Sequence, residues 1–154
     1  MIDAPCPKLS IVATLYKSVP YLDEFYARCI KVAEAFAGDD FEIVLVNDGS
    51  PDDSLSKAIE LYKQDERVKV ADLSRNFGHH KAMMAGLGCA RGELVFLIDS
   101  DLEEAPEWLS DFHAQLVKND RVDEFSPKGL QPQSIDVVFG VQSSRKGSRF
   151  ERLS

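Results

Sequence analysis

Short apolar runs alternate along the chain with segments whose apolar residues recur at helical spacing, and this alternation limits the fold most strongly. The predicted strands cover residues 9–16, 41–48, 68–74, 94–99 and 136–142. The predicted helices cover residues 21–37, 51–64, 78–90 and 106–118. Strands that are apolar throughout are typical of a largely parallel sheet covered by helices. We therefore predict an α/β fold with a doubly wound, Rossmann-like sheet and right-handed crossovers.

The third predicted helix, GHHKAMMAGLGCA, is rich in small residues. We expect its large apolar residues, Met83, Met84 and Leu87, to lie in the core. His79 and His80 are adjacent, so they leave a helix about 100° apart and cannot share one ligand face. A contact at the start of the helix, or plain exposure to solvent, is favoured for them over a metal-binding role.

Charge and composition exclude several classes of function. The chain has 154 residues and a net charge of −8, which suits one domain and argues against nucleic-acid binding. Three cysteines without metal-binding spacing indicate reduced thiols in a cytosol. No stretch reaches the roughly 18 apolar residues of a membrane span. A basic segment at residues 144–154 can meet a phosphate or an anionic membrane surface, or it can be a solvated terminus.

Polar residues follow the carboxyl ends of four predicted strands. Ligands bind at this edge of doubly wound sheets, where the strand order reverses. Each group alone is ordinary turn chemistry, but four groups at one edge favour a binding site. The groups are Thr14 and Tyr16; Asn47, Asp48, Gly49 and Ser50; Ser74, Arg75 and Asn76; and Asp99, Ser100, Asp101 and Glu103.

Asp99 and Asp101 form the most specific of these groups, because the strand LVFLI ends directly on them. If the extended conformation persists, both carboxylates point to one face. Two charges about 4 Å apart repel by roughly 4 kcal/mol at an effective dielectric of about 20. A raised pKa or a divalent cation would relieve that repulsion. Hard oxygen ligands favour Mg²⁺ or Mn²⁺, which complete their shells with water and phosphate oxygens. A simple turn with helix-start acids is the alternative.

Four stretches occur in an order that resembles family 2 glycosyltransferases of the GT-A fold: LSIVATLYKS, FEIVLVNDGSPDDS, LSRNFGHHKAMMAGLGCARGE and LVFLIDSDLEEAPE. They are most similar to the branch that includes dolichyl-phosphate mannose synthase and bacterial polyprenyl-phosphate glycosyltransferases. The resemblance covers residues 9–154. It implies a GT-A type sheet and an enzyme that transfers a sugar from a nucleoside-diphosphate sugar.

The resemblance also implies which residues hold the nucleotide and its diphosphate. The first-strand segment and the acid of the N-D-G-S motif hold the nucleotide, and here these are Thr14, Tyr16 and Asp48. The R-N-x-G segment lies near the diphosphate, which implies that Arg75 contacts phosphate and stabilises the leaving group. Lys81 is a further candidate, although a solvated lysine is the plainer interpretation.

The aspartate pair of the family holds the metal and the diphosphate. This implies that Asp99 and Asp101 are catalytic residues and ligands of Mg²⁺ or Mn²⁺. Glu103 stands where the branch usually has glutamine, so its carboxylate is either a third oxygen ligand or only an added charge. Thr14 stands where the family usually has proline.

The resemblance extends to domain organisation. It implies one GT-A catalytic domain over residues 1–154, truncated at its C-terminus, with a nucleotide-binding half at residues 1–102. Residues 119–134 are an inserted loop, longer than the branch usually shows. Residues 144–154, which include Arg145 and Arg149, lead towards membrane-associated helices that follow in the family. The expected location is the cytoplasmic face of a membrane.

We therefore expect an inverting, metal-dependent transferase whose acceptor is a polyprenyl phosphate in the synthesis of cell-envelope glycans or glycolipids. A lipid phosphate is already ionised near neutral pH and requires no protein base. A saccharide hydroxyl would require one, for which Glu103 and Glu104 are candidates. Other interpretations are a non-catalytic sugar-nucleotide-binding domain, a nucleotidyltransferase and, less favoured, a receiver-like domain that uses Asp48. The chain lacks the glycine-rich signature expected near the start of a nucleotidyltransferase. It also contains no P-loop and no dinucleotide-binding glycine motif.

Overall fold

The computed structural model describes residues 6–120 and 137–138, with the side chains of residues 118–120 left out. A 3₁₀ turn at Pro106–Trp108 precedes the last helix. The other elements, in chain order, are β1 (Leu9–Leu15), α1 (Leu22–Ala37), β2 (Phe41–Asn47), α2 (Ser54–Gln64), β3 (Val68–Asp72), α3 (His79–Cys89), β4 (Leu94–Leu97) and α4 (Leu109–Asp120).

The four strands form one parallel sheet in the order β3-β2-β1-β4. The chain runs outward from β1 through β2 to β3 and then returns to the other side of β1. The strand order therefore reverses between β1 and β4, which fixes where the carboxyl edge can hold a ligand. The predicted α/β fold with a doubly wound parallel sheet is confirmed.

Helices α1 and α3 pack through different kinds of residue, large apolar ones in α1 and small ones in α3. The apolar residues of α1 recur every three or four positions and are buried, with Phe25 and Cys29 fully so. Burial raises the pKa of the Cys29 thiol far above its usual range, so this thiol stays protonated. Helix α3 instead approaches β1 and β2 through Ala82 and Gly86. A methyl group at Gly86 would lie 2.5 Å from a Val12 methyl carbon, so only glycine fits there.

The close packing of α3 overturns one expectation about the core. Met84 is 66% exposed and Leu87 is 37% exposed, because the small residues of this helix face the sheet and the large ones face away. Small residues allow the helix backbone to approach the sheet closely, which a run of large side chains would prevent.

An ion pair between a buried carboxylate and an exposed arginine lies at the amino end of the sheet. Glu42, at the start of β2, accepts a hydrogen bond from the Ser10 hydroxyl at 2.8 Å and one from the Arg91 backbone at 2.7 Å. The Arg91 guanidinium adds contacts of 3.2 and 3.0 Å. Burial alone would raise the pKa of Glu42, but these hydrogen bonds lower it overall. The segment before β4 is thereby fixed to β1 and β2.

Several predicted boundaries shift in the structure. Strand β4 ends at Leu97 and not at Asp99, and Ser100 and Asp101 lie in a turn, so the condition under which both carboxylates would point to one face is not met. Helix α2 begins at Ser54, so Asp52 and Asp53 precede its first turn. The predicted loop at 119–134, the basic segment at 144–154 and all but two residues of the fifth strand lie outside the described residues.

The chain divides after Leu109 into two compact units. The sheet, helices α1 to α3 and the 3₁₀ turn belong to the first unit. The prediction of one catalytic domain over residues 1–154 stays a prediction. Among the described residues, no helix has the length and apolar content needed to cross a bilayer.

Candidate functional site

Three side chains from three elements meet at the point where the strand order reverses. Thr14 lies near the end of β1, Asp99 follows β4, and His79 opens α3. The Thr14 hydroxyl lies 3.4 Å from an Asp99 carboxylate oxygen and 3.2 Å from His79 Nδ1. His79 Nε2 lies 3.5 Å from the same Asp99 oxygen. This cluster joins residues 85 positions apart in the chain.

Carboxylates crowd around this cluster. Partial burial raises the pKa of Asp99 and the nearby Asp101 charge raises it further, while His79 and Thr14 partly oppose the change. Partial burial likewise raises the pKa of Glu104, helped by the charges of Asp99 and Asp101. The Asp99 backbone and the His79 charge partly oppose this rise in the pKa of Glu104. The acids after β4 are therefore electrostatically strained, which is the condition that a bound cation relieves.

The donor set suits a divalent cation with few protein ligands. Asp99 and Asp101 supply hard oxygen atoms, as Mg²⁺ and Mn²⁺ prefer, and water or phosphate oxygens can fill the remaining positions. Among the side chains that the structure describes, no group of three or more His, Cys, Asp or Glu is close enough to hold a metal. Glu103 is therefore not assembled with the aspartates as a third ligand; its backbone donates to Asp101 Oδ1 at 3.0 Å.

Ser100, between the two aspartates, anchors their turn to β1. Its side chain is buried, and its hydroxyl donates to the Thr14 carbonyl oxygen at 2.7 Å. The same hydroxyl lies 2.9 Å from the Ser18 hydroxyl, which in turn accepts the Tyr16 backbone N–H at 3.0 Å. The acid turn and the loop after β1 are therefore joined by a chain of hydrogen bonds.

A second set of hydrogen bonds joins the loop after β1 to the loop after β2. Asp52 accepts the hydroxyls of Ser50 at 2.6 Å and Ser54 at 2.5 Å. Those serines accept backbone N–H groups of Lys17 at 2.7 Å and Ser18 at 2.9 Å. Although burial opposes it, these bonds lower the pKa of Asp52. These hydrogen bonds connect the two loops directly, and the Tyr16 side chain beside them is 50% exposed.

The loop between β3 and α3 rests on Asp48. The Asp48 side chain is 3% exposed, and its two oxygens accept the backbone N–H groups of Phe77 at 2.7 Å and Gly78 at 3.1 Å. The guanidinium of Arg75 lies 4.3 Å from the centroid of the Phe77 ring. Both Arg75 and Lys81 are exposed, so their cationic groups are available to a ligand.

The structure brings together some of the residues predicted from sequence. Thr14 and Asp99 touch, and Asp101 is near enough to shift the pKa of Asp99. Tyr16 and Arg75 lie exposed. The contacts with a nucleotide predicted for Thr14, Tyr16, Asp48, Arg75 and Lys81 stay predictions, as do the metal contacts of the two aspartates.

Sequence reasoning favoured a helix-start contact for His79 and named Glu104 as a candidate base, but it did not predict that both lie beside Asp99. Periodicity showed only that His79 opens a helix. The helix after a parallel strand begins at the carboxyl edge of the sheet, and that rule was the available signal. Glu107 lies in the 3₁₀ turn and pairs with Arg28 of α1 at 3.0 Å.

Comparisons with known proteins agree with this architecture. A sequence profile described as "Glycosyl transferase family 2" matches residues 10–126. A Mycobacterium tuberculosis protein named as a glycosyltransferase is 48% identical over 140 residues, which are 91% of this chain and 36% of the relative. The uncharacterized glycosyltransferase YkcC of Bacillus subtilis is 33% identical over 141 residues, 92% of this chain and 39% of that protein. The chain thus spans less than two fifths of these relatives.

Solved structures show the same fold. The crystal structure of S. aureus TarS 1-349 in complex with UDP-GlcNAc superposes with a TM-score of 0.59 at 31% identity, over 73% of this chain and 32% of that one. The mannosyltransferase PcManGT from Pyrobaculum calidifontis, in complex with GDP-Man and Mn²⁺, has a TM-score of 0.60 at 21% identity. That match covers 73% of this chain and 33% of the mannosyltransferase, and it shows the fold alone.

Proposed function

Since the chain belongs to glycosyl transferase family 2, we propose that it binds a nucleoside-diphosphate sugar and transfers the sugar to an acceptor with inversion. One observation carries this proposal. Asp99, whose pKa is raised by burial and by the neighbouring Asp101 charge, lies where the strand order reverses, in contact with Thr14 of β1 and His79 of α3. A site of this kind suits a ligand that brings phosphate oxygens and a divalent cation.

A UDP- or GDP-linked sugar is the proposed donor. TarS, which resembles this chain at 31% identity, is described in complex with UDP-GlcNAc, which supports that class. The start of α3 presents its positive end at the rim, a favourable place for a phosphate group. Tyr16 and Arg75 are exposed after β1 and β3, and we assign the first to the nucleoside and the second to the diphosphate.

Asp99 and Asp101 are the proposed ligands of Mg²⁺ or Mn²⁺. When bound, such an ion supplies positive charge that neutralises the departing diphosphate. The protein contributes the position of the two carboxylates, which Ser100 fixes against β1. Arg75 and Lys81 add positive charge near the phosphates. Glu103, as an additional ligand, would have to turn towards the aspartates from its present place.

A polyprenyl phosphate is the proposed acceptor, by the resemblance of the motifs to that branch. Its phosphate oxygen is ionised near neutral pH and can attack without a protein base. A saccharide hydroxyl is the second candidate, and one observation favours it. The raised pKa of Glu104, beside Asp99, suits a carboxylate that accepts a proton at the site. We propose a cytoplasmic, membrane-surface location with the first acceptor, aided by the basic residues at 144–154.

Donor binding is the direct test of this function. Isothermal titration of the chain with UDP, GDP, UDP-GlcNAc and GDP-mannose, each with and without Mn²⁺, should reveal one nucleotide whose binding requires the ion. Thermal unfolding should agree, since a ligand at 100 times its dissociation constant stabilises by about 2.7 kcal/mol. Binding that is unchanged in Asp99→Asn and Asp101→Asn proteins would contradict the proposed site. Binding without turnover would favour the non-catalytic alternative.

A further inference from the structure

We propose that Asp52 is a positioning residue that fixes the loop after β1, residues 16–19, and thereby sets how the Tyr16 ring meets a nucleoside. Asp52 precedes α2 and lies 33 positions from Val19 in the chain, so the fold alone brings the two loops together. The effect on nucleotide binding rests on the function proposed above, whereas the hold on this loop is independent of it.

One oxygen of the Asp52 carboxylate collects the hydroxyl groups of two serines. Asp52 Oδ1 accepts the Ser50 hydroxyl at 2.6 Å, the Ser54 hydroxyl at 2.5 Å and the Ser54 backbone N–H at 3.1 Å. A serine hydroxyl has a single proton to donate, so a serine that donates to Asp52 has only its lone pairs left for other neighbours. The carboxylate therefore orients both serine oxygens as acceptors.

The loop after β1 supplies the donors for these acceptors. The two serine oxygens accept the backbone N–H groups of Lys17 at 2.7 Å and Ser18 at 2.9 Å. The other Asp52 oxygen accepts the N–H of Val19 at 3.4 Å. The bond to Ser18 is buried, where a backbone donor without a partner is most costly. Three successive N–H groups of the loop thus depend on one carboxylate, directly or through a serine.

The conformation of Lys17 gives a second, independent observation. Its φ is 56°, in the left-handed region that residues with a side chain seldom adopt. Backbone of this kind persists where the surrounding structure holds it, and the serine bonds to Lys17 and Ser18 provide that hold here. The turn brings the Lys17 ammonium to 5.7 Å from the centre of the Tyr16 ring, and that ring is half exposed. The same hydrogen bonds therefore determine the surroundings of Tyr16.

Amide hydrogen exchange of the ligand-free chain tests the hold on the loop. In Asp52→Ala, the amide protons of Lys17 and Ser18 should exchange about five- to tenfold faster, because their serine acceptors are no longer oriented. The amides of Phe77 and Gly78 are the internal reference, since they donate to a different carboxylate. Exchange of the Lys17 and Ser18 amides at the same rate as in the unmodified chain would overturn the proposal.

Two further variants make the exchange experiment specific. Asp53→Ala is the matched control, because Asp53 is the exposed neighbour whose side chain makes no hydrogen bond to cap α2. An acceleration in Asp53→Ala that matches the one in Asp52→Ala would count against the proposal. Ser50→Ala removes one serine only and serves if Asp52→Ala folds poorly, which circular dichroism reports. It should accelerate exchange at Lys17 and spare Ser18, and an unchanged Lys17 amide would also overturn the proposal.

Binding measurements locate the effect on the nucleoside side of the site. The bond between the hydroxyls of Ser18 and Ser100 does not involve Asp52, so the acid turn should keep its place in Asp52→Ala. With Mn²⁺, calorimetric titration should show about tenfold weaker binding of UDP or GDP, as partial loss of base stacking on an aromatic ring does. The affinity for inorganic pyrophosphate should change by less than about twofold. Equal losses for pyrophosphate and nucleotide, or no loss for either, would overturn the proposal.

A cycle of single and double substitutions tests whether Asp52 acts through Tyr16. In a Tyr16→Ala background, Asp52→Ala should cause no further loss of affinity for UDP or GDP, because the ring that the loop positions is absent. Losses that add would assign Asp52 a separate effect and overturn the proposal. An unmodified chain that binds none of these probes would refute the proposed function, and the exchange experiment would still decide whether Asp52 holds the loop.

Discussion

The hydroxyl of Ser100 donates to the carbonyl oxygen of Thr14 at 2.7 Å, so the residue between two acids of the rim is fastened to the neighbouring strand. Replacing Ser100 with alanine leaves that carbonyl and the Ser18 hydroxyl short of a partner in a buried place. We expect Ser100→Ala to lower the free energy of unfolding by about 1–3 kcal/mol, measured by urea denaturation.

Exposed Ser56 on α2 is the matched control for that substitution. Ser56→Ala should change stability by less than about 0.5 kcal/mol. The Ser18→Ala and Ser100→Ala changes should be non-additive, because the two hydroxyls are partners. If Ser56→Ala and Ser100→Ala lowered the free energy of unfolding equally, the buried Ser100 hydroxyl would make no specific contribution to stability.

Asp99→Asn should have opposite effects on thermal stability and on Mn²⁺-dependent nucleotide binding. Burial and the Asp101 charge raise the pKa of Asp99, so the folded state holds its proton more tightly than the unfolded state. Stability of the metal-free chain should therefore fall as pH rises through the unfolded and then the folded pKa of this group. Removing the charge should raise the midpoint of thermal unfolding slightly near pH 7, and it should abolish Mn²⁺-dependent nucleotide binding. A lower midpoint would contradict the strain inferred at this site.

His79 and His80 form a matched pair for testing the start of α3. His79 contacts Thr14 and Asp99, whereas His80 is exposed and meets His79 edge-on at 5.6 Å. We expect His79→Gln to weaken nucleotide binding by about three- to tenfold, as the loss of one hydrogen bond does. His80→Gln should change it by less than about twofold. Calorimetric titration of both variants measures the difference, and equal effects would exclude a specific role for His79.

Apolar periodicity predicted the elements of the first unit well. Strands β1 and β2 each end within one residue of the predicted position, because a buried strand and its flanking turn both leave local signals. Strand β4 was predicted two residues too long. The side chains of Ile98 and Ser100 are buried after the strand has ended, so burial continued where strand pairing did not.

The exposed face of α3 shows what apolarity alone could not reveal. Met84 and Leu87 are as apolar as core residues, but the helix lies too close to the sheet for them to face it. The distance between a helix and a sheet depends on residues from both, and one segment does not encode it. For the same reason the contacts of His79 could not be predicted from one segment, because its neighbours come from two other parts of the chain.

Gly86 and Gly88 test that close approach on one helix. A Cβ at Gly86 would lie 2.5 Å from a Val12 methyl carbon and 2.9 Å from a Val46 methyl carbon, whereas at Gly88 it would meet nothing within 4 Å. Gly86→Ala should lower the free energy of unfolding by about 1–3 kcal/mol through overpacking. Gly88→Ala should raise it by up to about 1 kcal/mol, because alanine favours a helix. Urea denaturation that gives both changes the same sign would contradict the packing of α3.

Acid stability should depend on Asp65, which caps α2. The Arg67 guanidinium, with help from the Tyr26 hydroxyl at 2.7 Å, lowers the pKa of Asp65 to about 2. Because the pKa of Asp65 is lower in the folded chain, its ionised carboxylate stabilises the fold at pH values above the pKa of the unfolded chain. This stabilisation is lost as pH falls from about 4 to about 2.

Asp65→Asn should therefore cost about 2 kcal/mol at pH 7 and much less near pH 2. Denaturation at both pH values measures the difference. Asp39→Asn is the control, because the Asp39 carboxylate also lies 3.4 Å from the Arg67 guanidinium but its side chain is 99% exposed. A loss in Asp65→Asn that does not depend on pH would show that the ionised carboxylate is not the cause.

The contact between Thr14 and Asp99 spans 85 positions of the chain, and it forms only when β4 has docked on the far side of β1. Strands β1, β2 and β3 can pair through shorter connections, which close at a lower entropic cost. The acid turn should therefore belong to the last step of folding of this sheet. A chain emerging from the ribosome would pair β1, β2 and β3 first and acquire the acids last, so its capacity to bind a ligand would report that this sheet is complete.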